Sequence, residues 1–147
     1  MRNFQATLTA AVLLASAAAW AGDYYSPRQY YSQWQKSPQS NYAYRTYYYK
    51  PTPDYAGYKH HYVIQKGDHC YFYNPYEKQY WGRCPLKHGG QPTYQLLAPA
   101  DRKPTLAQIP ESAFPPAGPL PPIPESNGSA TLDLPPDDLP SDVFVGN

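Results

Sequence analysis

The sequence predicts one small all-β module, a three- to four-stranded antiparallel meander tied by one disulfide, within a chain otherwise disordered or of low complexity. Three observations predict it. Strand-like alternation bounded by turn residues is confined to residues 60–97. The two cysteines of the chain, Cys70 and Cys84, flank one hairpin there almost symmetrically. Around that stretch the composition divides: all 17 Tyr fall between Tyr24 and Tyr94, and 12 of the 19 Pro fall at or after Pro99. From Gly22 to Asn147, Leu, Ile, Val and Phe together number only 17, well below what an ordinary core uses.

In chain order, residues 1–21 read as a cleaved signal peptide. Arg2 supplies the positive end, an apolar run follows through Ala10–Ala18, and Ala19-Trp20-Ala21 offers small residues to a signal peptidase. The run is too short to span a bilayer, and no later stretch of the mature chain would do so. Residues 22–59 form a Tyr-rich arm containing two copies of a Tyr-Tyr-Ser-x-x-Gln hexapeptide, Tyr24–Gln29 and Tyr30–Gln35. Ser26 and Gln29 fit a capping box and Pro27 a first helical position, so a short helix would set Tyr30, Tyr31 and Trp34 on one side. The rest of the arm reads as irregular or extended.

Within residues 60–97, His61–Gln65, Cys70–Tyr73, Gln79–Cys84 and Thr93–Leu97 are the expected strands. Asn74 and Pro75 initiate the central turn. If Cys70 faces Cys84, Tyr71 faces Arg83, Phe72 faces Gly82 and Tyr73 faces Trp81. Side chains alternate, so Tyr71, Tyr73, Trp81 and Arg83 would then form one aromatic and basic face, the expected binding face. A disulfide closing this ring of about 15 residues adds roughly 3 kcal/mol in the loop-entropy picture, which matters for a sheet so small.

Residues 98–147 form a Pro-rich acidic tail. Pro104–Ile109 suggests a turn of helix lying against the sheet. Beyond it, Ile109-Pro110-Glu111-Ser112 recurs as Ile123-Pro124-Glu125-Ser126, and Leu120-Pro121-Pro122 recurs as Leu134-Pro135-Pro136, a tandem repeat of 14 residues. Proline fixes φ and removes donors, so this tail is expected to be extended and exposed, a spacer, or else to fold back on its own basic half. The charges allow the second course. Asp23–Lys103 holds 11 Lys/Arg against 5 Asp/Glu, whereas Pro104–Asn147 holds 6 acidic residues and no basic one.

The chemistry these residues favour is binding. Gly-rich phosphate loops, nucleophile elbows and His-Glu-x-x-His are all missing from the sequence, so it does not read as an enzyme and implies no cofactor. Export into an oxidising compartment, and 13 residues between the cysteines in place of Cys-x-x-Cys, favour a structural disulfide. The alternative is a zinc or copper site using His60, His61, His69 and His88, with or without the thiols. Basic charge spread among tyrosines favours envelope polysaccharide or envelope protein as the partner, and nucleic acid is not expected.

Two resemblances bear on this. Tyr71-Phe72-Tyr73-Asn74, Trp81 and Pro85 are similar to the second half of a WW domain, a three-stranded reader of polyproline. The Asn-to-Trp spacing is one short, the Trp-to-Pro spacing one long, and no Trp stands near residue 59, which points to convergence of hairpin chemistry. More of the chain resembles secreted Tyr/Pro-rich proteins of planctomycete-type bacteria. That likeness rests on Tyr47–Pro51, Tyr58–Val63, the Tyr73–Arg83 hairpin and Ile109–Pro116. It implies an envelope or extracellular location and brings neither an activity nor site residues.

Overall fold

Aromatic and β-branched residues alternating with polar ones form a pleated ladder wherever turns let neighbouring runs pair. Here that happens over far more of the chain than residues 60–97. The computed structural model describes residues 24–25, 28–38 and 40–140; the expected signal peptide lies outside them. The strands are β1 (Tyr24–Tyr25), β2 (Gln29–Tyr31), β3 (Gln35–Lys36), β4 (Ala43–Tyr49), β5 (Lys59–Lys66), β6 (His69–Asn74), β7 (Gln79–Pro85) and β8 (Gln95–Leu96). They make a single antiparallel sheet in the order β1-β2-β4-β5-β6-β7-β8, with β3 also on β4. Among the described residues no helix is long and apolar enough to cross a membrane.

The Tyr-rich arm is therefore not irregular, and residues 29–31 are strand where a short helix was expected. Cross-strand tyrosine contacts favour the ladder. Tyr30 pairs with Tyr48 and Tyr31 with Tyr47, their ring centroids 4.5 and 4.9 Å apart. Such contacts contribute about 0.2–1 kcal/mol each, whereas a helix this short is marginal in water. β2 and β3 are two parts of one edge strand against β4. Between them the register slips by one residue, from Tyr31 opposite Tyr47 to Gln35 opposite Tyr44. Ser32 bridges the slip: its N–H donates to the Thr46 carbonyl at 2.9 Å, and its hydroxyl accepts the Thr46 N–H at 2.8 Å.

In the central hairpin the expected register holds for Cys70–Cys84, Tyr71–Arg83 and Phe72–Gly82 and then breaks. A bulge after Phe72 places Tyr73 opposite Tyr80 and Asn74 opposite Gln79, so Tyr73 does not face Trp81. The extra residue turns Trp81 to the face that carries Phe72, where it is 2% exposed. A bulge leaves one residue of one strand unpaired, reorients its side chain and shifts the register beyond it by one. Asn74 closes the turn as expected, its side-chain oxygen accepting the N–H groups of Tyr76 and Glu77.

Cys70 and Cys84 are cross-strand partners, both buried, but they stand as free thiols in hydrogen-bond contact and not as the expected disulfide. The extra burial that a 40-residue sheet would lack comes from the rest of the chain. The tail is not an exposed spacer: it covers both faces. Residues 97–114, with 3₁₀ turns at Pro99–Asp101, Leu106–Gln108 and Glu111–Ala113, lie over one face of β6 and β7. There Leu97 and Ile109 are buried with Tyr80, and Leu106 and Phe114 pack beside Tyr71 and Tyr73. The chain then rounds the β8 edge, where Tyr94 and Gly118 exchange backbone hydrogen bonds of 3.0 and 2.9 Å. On the other face Ile123, Leu132 and Leu134 close a core of Tyr31, Tyr47, Tyr49, Val63, Phe72, Trp81 and Tyr94.

Gly82 lies at the centre of that core. A Cβ there would meet the Tyr94 ring and come within 2.7 Å of the Gln95 carbonyl oxygen. Gly82→Ala should therefore destabilise the chain by about 1–3 kcal/mol, the usual cost of overpacking. A urea midpoint equal to wild type would show that Tyr94 does not lie across this glycine.

Candidate functional site

The tail covers the Tyr71 face only over β6 and β7. Where it ends, that face opens into a groove of about 500 Å³ lined by Ser37, Ser40, Tyr42, Tyr44, Tyr62, Ile64, Tyr73, Tyr80 and Pro104. Strand alternation presents Tyr44 from β4, Tyr62 and Ile64 from β5 and Tyr73 from β6 on one side of the sheet. Register brings them together: Tyr44 pairs with Ile64 and Tyr62 with Tyr73. The turn between β3 and β4 forms one wall with Ser37, Ser40 and Tyr42, and Pro104 of the tail forms part of the other.

The tyrosines are held in place by one another. Tyr44 and Tyr62 meet edge to face at 6.4 Å between centroids, and Tyr73 and Tyr80 at 5.1 Å. The Tyr44 hydroxyl donates to the Gln35 side-chain oxygen at 2.9 Å. Burial, with Tyr73 and Tyr42 nearby, pushes the Tyr80 hydroxyl up to about 12, so it stays protonated. None of the nine lining residues carries a charge at neutral pH. The groove therefore offers aromatic faces and neutral hydroxyl groups, an arrangement suited to a ligand with alternating C–H and O–H surfaces.

Of the expected binding face, only Tyr73 lines this groove. Tyr71 is half-buried next to Phe114. Arg83 is 4% exposed, its guanidinium 3.9 Å from the Phe114 ring centroid and hydrogen-bonded to Glu111, Gln95 and the Tyr71 hydroxyl. Trp81 lies in the opposite core because of the bulge. The four residues do not form an open face: the tail lies on Arg83 and Tyr71, and Trp81 points the other way. Tyr42, Tyr44, Tyr62 and Tyr80 were missed, although the alternation of His60, Tyr62 and Ile64 was a signal for part of the groove.

The histidines are dispersed. His60 and His61 are consecutive in β5 and so point to opposite faces, His69 lies beside Tyr71, and His88 sits near Pro135 and Asp137. Among the described residues no group of three or more His, Cys, Asp or Glu is arranged to hold a metal ion. His61 instead belongs to a buried polar cluster. Its Nε2 lies 3.3 Å from the Tyr49 hydroxyl and 3.7 Å from Glu125 Oε2. Glu125 also accepts hydrogen bonds from the Tyr49 hydroxyl and, at 3.1 Å, from the Asn74 amide.

This cluster predicts an acid response. Burial lowers the His61 pKa from its ordinary 6.5 and outweighs the Glu125 carboxylate beside it. Burial alone would raise Glu125, but His61, Tyr49 and Asn74 gathered on its carboxylate overcome that and hold it at about 2, below the ordinary 4.5. Both values are depressed by folding, so the unfolded chain takes up these protons first and stability falls as the pH drops. The melting temperature should be level just above pH 7, fall below 6.5 as His61 and His69 contribute, and fall again below 4.5 as Glu125 does. Glu125→Gln should shrink the second decline to the part that Glu111 and Asp137, also held low by their partners, contribute; a melting temperature unchanged from pH 7 to 3 would contradict the cluster.

Comparison with protein-family models, with curated proteins and with solved structures found no match, so the reading of this site rests on its own geometry.

Proposed function

We propose that this chain is an exported, non-enzymatic interaction protein of the cell envelope that binds glycan chains in the tyrosine groove. The observation that carries the reading is the groove itself: five tyrosines with two serines around about 500 Å³, and no charged lining residue. A pyranose ring presents C–H faces to stack on aromatic rings and hydroxyl edges to pair with Tyr and Ser oxygens. Tyrosine supplies such contacts at low entropic cost, because it has few rotatable bonds. Export rests on the N-terminal signal pattern, and the resemblance to secreted Tyr/Pro-rich proteins implies the same location.

The groove has a direct test. Tyr44→Ala with Tyr62→Ala should weaken retention on immobilised envelope polysaccharide about tenfold or more, since aromatic contacts contribute about 0.5–1.5 kcal/mol each. The same pair of substitutions should leave the fold cooperative, because both rings are only half-buried. Retention equal to wild type would remove the groove from the reading. Trp81→Ala is unsuitable as a probe, because it would hollow the core.

Oxidation of the thiols belongs to the same reading. Cys70 and Cys84 already touch across the hairpin, so export into an oxidising compartment should close them into a disulfide. Intact mass spectrometry of the exported protein should give a chain starting at Gly22 and two hydrogens light until reduced. Free thiols in the exported protein would instead mean that burial protects them.

A further inference from the structure

The groove is one end of a longer aromatic surface. Strand alternation puts the even-numbered residues of β4 and β5 on the groove side of the sheet. Beyond Tyr44 and Tyr62 these include Tyr48 and His60, with Lys50 directly after β4. The rings touch in series: Tyr44 meets Tyr62 at 6.4 Å, Tyr62 meets His60 at 5.4 Å, and His60 meets Tyr48 at 6.3 Å between centroids. All four are half-buried, so part of each ring stays open. Tyr30 of β2 backs Tyr48, stacked at 4.5 Å. At the usual rise of a strand the run from Tyr44 to Lys50 is roughly 20 Å long, room for several sugar units in a row.

The far end of this surface differs from the groove in carrying a cation. Lys50 Nζ lies 5.0 Å from the centroid of the Tyr58 ring, and Tyr58 in turn meets Tyr30 edge to face at 5.2 Å. The ion pairs elsewhere join cations of the first part of the chain to carboxylates of the tail. Arg45 pairs with Asp138, His61 with Glu125, Arg83 with Glu111 and His88 with Asp137. Lys50 is left out of this pairing. Among the described residues it makes no ion pair, either with Asp54 in the loop that follows it or with a tail carboxylate. A lysine held over a ring at the end of an aromatic row, with no acid of its own, is complementary to an acid from outside.

We infer that the ligand of the tyrosine groove is an extended acidic glycan, whose ring faces lie along Tyr44, Tyr62, His60 and Tyr48 and one of whose carboxylates meets Lys50. This rests on the groove as a glycan site and adds the length and the charge of what it binds. A uronic-acid sugar keeps the C–H face that stacks on an aromatic ring and carries its carboxylate at the edge, so one glycan satisfies both ends of the surface. Each aromatic contact is weak alone, so affinity accumulates along the row. A glycan too short to leave the groove forgoes both Tyr48 and Lys50.

The test is calorimetry of the full-length protein with β-1,4-linked oligomannuronates. The probes are the dimer, the hexamer, and the hexamer with its carboxyl groups reduced to alcohols. The acidic hexamer should bind at least tenfold more tightly than the dimer. Tyr48→Ala should weaken the hexamer about threefold to tenfold, the range of one aromatic contact. Reducing the carboxyl groups should cost about two- to fivefold, as should Lys50→Gln, which removes only a charge. These two losses should not add, because each deletes one side of the same ion pair. An acidic hexamer that does not bind, or binds no better than the dimer, would overturn the inference. So would a Lys50→Gln variant equal to wild type, or losses that add in full. Retention on envelope polysaccharide that is lost in Tyr44→Ala with Tyr62→Ala would then leave the groove standing as a site for a shorter or neutral glycan. Wild-type retention by that pair would sink both readings.

Discussion

An extended segment laid across a sheet without joining it leaves its inward carbonyls to side chains, and the rest of this structure depends on how the sheet meets them. Buried carbonyls need partners. Between Ser129 and Pro135 every second carbonyl of the tail turns to the sheet and meets a side chain there. Arg28 donates to Ser129 at 3.1 Å, Gln29 to Thr131 at 2.9 Å and Tyr31 to Asp133 at 2.5 Å, and His88 Nε2 lies 3.0 Å from the Pro135 carbonyl. Gln29 also accepts the Asp133 N–H at 2.9 Å, so its amide behaves as a length of neighbouring strand. Between these contacts Ala130, Leu132 and Leu134 point into the core.

The same need explains why tyrosine does the work of leucine here. A core closed by a lid of inward carbonyls and carboxylates needs apolar rings that end in donors, and tyrosine is such a residue. Tyr31, Tyr47 and Tyr49 are fully buried, and their hydroxyls donate to the Asp133 carbonyl, to Gln29 and to Glu125. Burial raises all three pKa values, which keeps the donated protons in place. The charges at the rim follow suit: buried Arg45, lying over the Trp34 ring at 4.8 Å, pairs with Asp138 of the tail at 2.8 Å. Arg45 also donates to the Ser32 carbonyl at 2.8 Å, so the buried guanidinium is met from both the sheet and the tail.

Short-range rules were enough for part of this. Alternation and turn residues located β5, β6 and β7 to within two residues, and symmetry about the hairpin placed Cys70, Tyr71 and Phe72 opposite their partners. The 3₁₀ turn at Leu106–Gln108 falls within the Pro104–Ile109 stretch where a turn of helix was expected. What failed were features set by distant contacts. Gly82 inside Gln79–Cys84 is the kind of residue that marks a bulge, but that Trp81 is the extra residue follows from the space between Phe72 and Tyr94 that it fills. The strands of the arm read as low complexity because their pairing with β4 and their cover by the tail lie 7 to 104 residues away in sequence. The groove was half legible, since alternation showed Tyr62 and Ile64 sharing a face but not that Tyr42, Tyr44 and Tyr80 would meet them there.

The groove and the tail are then two consequences of one sequence asymmetry. The two repeat units do not cover equal areas. The second runs on through Leu134 to Asp138 and reaches β3 and β4, whereas the first turns away at Phe114 to round the β8 edge. On the face covered by the first unit, the tyrosines of β4 and β5 therefore have no lid. Had the first unit extended as far as the second, Tyr44 and Tyr62 would be core residues like Tyr47 and Tyr49. Their partial exposure is not a failure of burial: it marks where the cover by the chain's own tail stops.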